Sequence, residues 1–327
     1  MLAIATKIGE SLLLILAVLV FNFVLVYIAP GSVIDALSAG SLGDASEAQI
    51  EAVRERLGLD KSFFGQLFMY LGNVLQGDFG YSPIGNRPVV EMIAPRIFPT
   101  LLLAFSALTF AVTIGIAIGT AAARRPDSFL SSGLTVFALI GFAMPVFWTG
   151  ILLILVFGVW LDWLPVAGMN DLRMSSRAGF FERAVDTAEH LILPTVSLGV
   201  IFLATYARLA RASMMEVLQS DYIRTARAKG LHESKVLFKH GLRNGIIPII
   251  TVLGLEFGIL LSGAILVETV FAWPGLGRLA FEAVLNRDTN VLLAILTMVS
   301  VTVILANLLT DIVYRLVDPR IRTGGRA

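Results

Sequence analysis

Six stretches of this chain are long and apolar enough to cross a lipid bilayer: about 8–29, 97–123, 130–159, 190–213, 246–270 and 291–316. A hydrocarbon core of about 30 Å is matched by roughly 20 residues rising 1.5 Å each. In that solvent only a helix satisfies every backbone group within one segment. The pattern therefore predicts an all-α integral membrane protein with six transmembrane helices. Composition agrees: 57% of residues are hydrophobic, 15% are charged, and the mean hydropathy is +0.83. A soluble fold of 327 residues needs more polar surface than that. The first stretch exceeds the usual signal-peptide core of about 7–15 residues, and Pro30 stands where cleavage is needed, so it reads as a retained helix.

Lys and Arg set the orientation. With the N-terminus inside, the inner side receives Lys7, Arg124, Arg125, the eight bases from Arg208 to Arg243 and the four from Arg315 to Arg326. These lie on short segments, and the outer side carries fewer over a greater length. The positive-inside rule then gives N-in and C-in. The expected organisation is a first transmembrane helix over 1–29, an extracytoplasmic cap over 30–96, and a five-helix core over 97–327 with a cytoplasmic loop at 214–245 between helices four and five. Within the cap, Ser46 and Gln49 form a capping box for a helix to about Leu57. "KSFFGQLFMYLGNVL" carries Phe64, Leu67, Phe68, Leu71 and Leu75 at helical spacing, which predicts a helix lying on the membrane surface. "GDFGYSP" breaks it. A second outer excursion, 160–189, opens with "WLDWLP", whose Trp160 and Trp163 suit the interfacial belt.

Much chemistry is excluded. There is no cysteine, so no disulfide, thiolate metal site or cysteine nucleophile exists. The three histidines, His190, His232 and His240, stand in no metal-binding pattern and read as satisfied surface residues. No GxSxG elbow occurs, and no Gly precedes Lys, so a P-loop is missing. Any ATP this protein uses is held by another polypeptide. A net charge of +1 gives no reason to expect a nucleic-acid partner. Polar residues within spans are few, and Glu256, near the middle of helix five, reads equally as a pathway-lining group or as an acid bonded to a neighbouring helix.

The charges concentrate in "DYIRTARAKGLHESKVLFKHGLRNG", residues 221–245. Tyr222, Ala226, Lys229 and Gly230 fall at i, i+4, i+7 and i+8, on one helical face. Ala226 and Gly230 are small enough for another surface to approach the backbone, and Gly230 is a natural helix stop. A second short helix follows, with Val236, Leu237 and Leu242 able to pack on the membrane end of the bundle. A basic segment lying on anionic lipid explains the charges, but not the small face or the break. A docking surface for a protein explains both.

"YIRTARAKGL", with its following helix and "IIP", resembles the EAA loop of the membrane subunits of ABC importers. "GDFGYSPIGNRPVVEMI", "MPVFWTGILLILVFGVWLDWLPVAG", "HLILPTVSLG", "VETVFAWPGLG" and "DPRIR" narrow the resemblance to the dipeptide/oligopeptide permease family, which includes nickel and glutathione importers, over essentially the whole chain. The sequence departs from the general pattern in carrying Arg224 where Glu stands six residues before the glycine. The resemblance implies a subunit of the bacterial inner membrane that is not itself an enzyme and holds no cofactor, ATP and Mg being bound by two partner ATPase subunits. It also implies a second, similar permease subunit as heterodimer partner, and an extracytoplasmic binding protein that delivers short peptides. Tyr222, Arg224, Ala226, Lys229, Gly230 and Leu231 are then the ATPase-coupling residues. Met144, Pro145 and Phe147, at a kink in helix three, then help line the path, and Glu268 and Pro274 shape the outer gate; Glu256 is a candidate for the path with both of its readings open. An ion-coupled transporter working alone is the rival reading, but it calls for several buried titratable groups and matched broken helices.

Overall fold

The computed structural model describes residues 2–28, 51, 60–171, 173 and 179–317. The expected 46–57 helix, apart from Glu51, and the C-terminal "DPRIR" lie outside the described residues. The elements are α1 (Leu2–Ile28), α2 (Phe63–Leu75), a two-stranded hairpin of β1 (Tyr81–Ser82) and β2 (Arg87–Pro88), α3 (Val89–Arg124), α4 (Phe129–Ala143), α5 (Val146–Leu153), α6 (Phe180–Leu218), α7 (Asp221–Ala228), α8 (Glu233–Lys235), α9 (Leu242–Gly245), α10 (Ile247–Val270), α11 (Leu276–Leu285) and α12 (Thr289–Val317). Wider π-helical turns extend α5 over Ile154–Trp160 and link α8 to α9 over Val236–Gly241. Among the described residues, four helical stretches are long and apolar enough to cross a membrane: Thr6–Ile28, Val89–Arg124, Phe180–Leu218 and Thr289–Leu308. The third expected span is divided at Met144–Pro145, and the fifth is the helix α10.

The chain forms two compact units, residues 1–98 with 275–327, and residues 99–274. In the first, α1 packs along α12, where Asn22 Nδ2 donates to Ser300 Oγ at 3.4 Å. Ser62 caps α2, its Oγ accepting from the Gly65 amide at 3.3 Å. The apolar residues of α2 do not all turn to lipid. Tyr70 stacks on Phe23 of α1, Phe63 meets Phe23 tilted and Tyr27 edge-on, Leu67 is buried, and Phe64, Phe68 and Leu75 stay exposed. Tyr70 bonds Thr297 Oγ1 at 2.6 Å, and burial raises its phenol pKa. Beneath the hairpin, Val89 and Ile93 pack with Leu276, Leu279, Ala283, Val291 and Ile295. Ser82 hydroxyl donates to the Asp288 carboxylate, whose other oxygen accepts from the Val291 amide and so caps α12. Burial pushes the Asp288 carboxyl up, against the lowering effect of those two bonds.

The second unit is organised around α6, with α4, α5 and α10 packed on it. The helix α3 starts at Val89, earlier than the sequence suggests, and α6 begins at Phe180 inside the expected outer excursion. Small residues set the approach of α3 to α6. A Cβ on Gly115 would stand 2.9 Å from Tyr206 Cβ and 3.1 Å from the Ala207 amide nitrogen. On Gly119 it would run into the Ala207 carbonyl and come within 2.7 Å of Ala210 Cβ. This is the close crossing that small residues four apart permit between helices in lipid, where apolar burial alone supplies no drive. At the other end of the unit, α10 stops in a tight turn. The Trp273 amide reaches back to the Glu268 carbonyl at 2.8 Å, and Ala272 takes a left-handed φ of 50°. A side chain there is strained by roughly 1–2 kcal/mol. Ala272→Gly is therefore expected to raise thermal stability in detergent by up to about 1 kcal/mol, the gain being offset in part by glycine's unfolded-state entropy; an unchanged or lower Tm counts against the strain.

Candidate functional site

Residues 221–245 fold as a helix, a glycine stop and a second short helical arm. Asp221 in the first turn of α7 and Arg227 in the last complement the helix dipole. The stop is a Schellman motif: Gly230, with φ of 72°, donates to the Arg227 carbonyl at 2.9 Å, and Leu231 reaches the Ala226 carbonyl at 3.4 Å. Leu231 then folds back on a small core of Ile223, Ala226 and Val236, with Val217 and Leu218. Arg227 spans the bend, its guanidinium donating to both carboxylate oxygens of Glu233 at 2.8 and 3.2 Å. Those bonds hold Glu233 below the usual carboxylate range and outweigh its slight desolvation. A lowered carboxylate pKa means the pair stabilises the bend at neutral pH and is lost as pH falls through that lowered value.

The second arm is fastened to the membrane core. Leu237 packs on Ala123 of α3 and Met214 of α6, with Leu242 alongside. Two glycines let it lie this close: a Cβ on Gly241 would sit 3.0 Å from Met214 Cε, and one on Gly245 only 2.5 Å from Met214 Sδ. Ser213 Oγ adds a bond to the Gly245 carbonyl at 2.9 Å.

One expectation about this segment is corrected. Tyr222 and Ala226 do not share an open face, for Ala226 is buried at 7% exposure and Tyr222 stands out at 42%. The small side chain at 226 makes room for Val236 of the same hairpin, not for an outside surface. The outward set is Tyr222, Arg224, Lys229 and Gly230, with Leu231 half-buried. Tyr222 Oη accepts from Asn244 Nδ2 at 2.8 Å, which holds the ring against the arm. Gly230 has open space where a Cβ would be.

The residues expected along the path fall in separate places. Met144 and Pro145 are extended, with ψ of 127° and 137°, because Pro145 has no amide to continue the ladder. The chain is thus broken there and not merely kinked. Phe147 is exposed on α5, and Ser197 of α6 holds this segment by donating to the Val146 carbonyl at 3.2 Å. Gly150 lets α5 press on the end of α10, a Cβ there falling 3.1 Å from Phe271. Glu268 is fully buried and accepts from Thr100 Oγ1 at 2.6 Å; Trp273, also fully buried, donates its indole N–H to the Pro99 carbonyl at 2.9 Å. These bonds tie the end of α10, with Pro274 just beyond it, to α3. The backbone of Glu256 lies in α10 about 18 Å earlier along the helix.

Two features went unread in the sequence. The Gly115 and Gly119 pair was legible as small residues four apart. His190 is buried, not a surface histidine: its Nδ1 lies 2.9 Å from the Asp186 carbonyl and 3.3 Å from that carboxylate. Asp186 also accepts from Asn170 Nδ2 at 3.1 Å and the Asp171 amide at 3.0 Å, so it ties the preceding loop to the start of α6. The i, i+4 spacing of "DTAEH" was the available signal.

Residues 115–323 match the family described as binding-protein-dependent transport system inner membrane component. The glutathione transport system permease protein GsiC of Escherichia coli (strain K12) is 44% identical over 314 residues, covering 95% of this chain and 94% of that protein. GsiC of Salmonella typhimurium (strain LT2) is 44% identical over 315 residues, with 95% and 94% covered. Among solved structures, the MetNI methionine ABC transporter in inward-facing conformations aligns with a TM-score of 0.55 at 16% identity, covering 70% of this chain and 97% of that one. That likeness shows the fold. Loop, fold and relatives converge: the chain belongs to the binding-protein-dependent transport family, in its peptide/nickel branch, and is a multi-pass permease subunit of an ABC importer in the bacterial inner membrane.

Proposed function

We propose that this subunit moves short peptides, delivered by an extracytoplasmic binding protein, through a path it forms with a second, similar permease. In this reading six helices cross the membrane with both termini inside, residues 1–29 supply the first, 30–96 form an outer cap, and 97–327 form the core. Two ATPase subunits, which hold ATP and Mg, lie below and grip the outward face of the elbow at Tyr222, Arg224, Lys229 and Gly230. Ala226 and Leu231 keep that face in shape from within. Met144, Pro145, Phe147 and Glu256 border the path, and Glu268 and Pro274 hold its outer end. Closure of the ATPase pair on ATP shifts the permease between two states by its differential affinity for them. The observation that carries this reading is the fastening of the second arm to Met214 and Ala123, which makes a push on the elbow a push on α6 and α3. Glutathione, itself a short peptide and the cargo named for the E. coli relative, is the first substrate to try.

The chain contains no cysteine, so single cysteines report topology cleanly. Gln76→Cys is expected to react with an impermeant maleimide in intact spheroplasts, and Lys235→Cys only after permeabilisation. The reverse pattern refutes the orientation. In cells carrying the whole transporter, glutathione and a panel of di- and oligopeptides should compete for uptake; transport of none of them rejects the substrate class. Glu256→Gln is expected to change the uptake rate at unchanged protein level, and identical kinetics remove Glu256 from the path.

A further inference from the structure

Where the end of α6, the start of α7 and the junction of α9 with α10 meet, there is a cleft of about 370 Å³, lined by Ser213, Glu216, Ser220, Tyr222, Asn244 and Pro248. Its walls are braced by the Ser213–Gly245 and Asn244–Tyr222 hydrogen bonds. The volume is at the low end of the roughly 300–1,000 Å³ usual for small-ligand pockets, and suits one long side chain better than a whole molecule. Charge decides which kind. Residues 208–245 hold Glu216, Asp221 and Glu233 as their acids, among eight bases. Asp221 lies 3.5 Å from Arg224, and Glu233 lies 2.8 Å from Arg227. Glu216 has no ion-pair partner among the described residues, although cations crowd the same stretch of chain. Glu216 stands exposed at the rim of the cleft, where a carboxylate attracts a cation and repels a phosphate. An anionic lipid headgroup or a nucleotide is thereby disfavoured.

We propose that the Glu216 cleft receives a Lys or Arg side chain of the ATP-binding subunit, as a second attachment point beside the exposed tip of the elbow. This rests on the docking of that subunit proposed above. The tip offers Arg224 and Lys229 to acids, whereas the cleft offers a carboxylate to a base. An ATPase must then present both signs at a fixed separation, and such complementarity sets register and partner choice more than raw affinity.

The test uses the assembled transporter, purified through a tag on this chain, with retained ATPase measured at physiological salt. Glu216→Lys is expected to lower retention by about tenfold or more, through like-charge repulsion at the contact, and Glu216→Gln by less. Glu216→Cys carrying a benzophenone maleimide should cross-link to the ATPase polypeptide next to a Lys or Arg, and replacing that residue by Glu should restore retention to Glu216→Lys. An adduct on lipid or on the second permease, no adduct, or full retention by Glu216→Lys overturns the proposal. Gly230→Trp in the same assay separates the two readings. If it releases the ATPase while Glu216→Lys does not, only the cleft is lost; if neither releases it, elbow docking fails as well.

Discussion

Gly119→Leu is expected to abolish recovery of folded protein, and Gly119→Ala to lower the Tm sharply. Gly119 faces the backbone of α6, where even a Cβ runs into the Ala207 carbonyl and lies 2.9 Å from the Arg211 amide nitrogen. Backbone cannot rotate away as the end of a side chain can. The whole α3–α6 crossing must open, and with it the contacts of Ala107 with Gly199 and of Tyr206 with Gly115. Overpacking a well-filled interior costs typically 1–3 kcal/mol and more when nothing can yield. In detergent the leucine variant should run as aggregate on size exclusion. Gly133 has nothing within 4 Å of its would-be Cβ, so Gly133→Leu is the control and should elute as the parent does. Equal behaviour of the two leucine variants would mean that the crossing is not as close as described.

Gly230→Trp is expected to leave insertion and the fold of the core intact while eliminating ATPase association and uptake. The bulk would project into open space at the elbow tip, where the ATPase is proposed to sit. Two effects overlap in this variant, because any side chain at φ of 72° is also strained. Gly230→Ala carries the strain, about 1–2 kcal/mol, almost without the bulk. If bulk matters, the alanine variant keeps most of its ATPase in a pull-down and the tryptophan variant keeps none. Equal loss in both would trace the effect to the Schellman stop, and no loss in either would remove the elbow from the coupling path.

The membrane class, the break in "MPVF" and the elbow were readable because each rests on a local signal. Long apolar runs, a proline in "MPVF" and a glycine after "TARAK" need no knowledge of what packs where. The direction in which side chains face was less legible. Ala226 reads as part of an open face on a helical wheel, yet Val236 occupies that face because the chain doubles back through Leu231. Phe63 and Phe64 are adjacent and equally apolar, and only the aromatic rings of Phe23 and Tyr27 decide that Phe63 turns inward. Glu268 stands near a span end with no local signal for its partner, and its carboxyl is enclosed with Thr100 of a helix distant in sequence. Where α3 and α6 begin was missed for a different reason: an extension such as "FFERAVDTAE" is too charged for a hydropathy reading, yet it continues the helix while largely exposed.

The helix α6 has 39 residues and so measures about 58 Å, nearly twice the hydrocarbon thickness. Its C-terminal end is held at Met214 by the elbow, and its N-terminal end at Asp186 by the loop from Asn170. A rod of that length pivoting by 5° at one end sweeps the other through about 5 Å, one helical turn. Under the mechanism proposed above, a small angular displacement at the elbow end would thereby become a stroke large enough to uncover or seal an opening across the lipid.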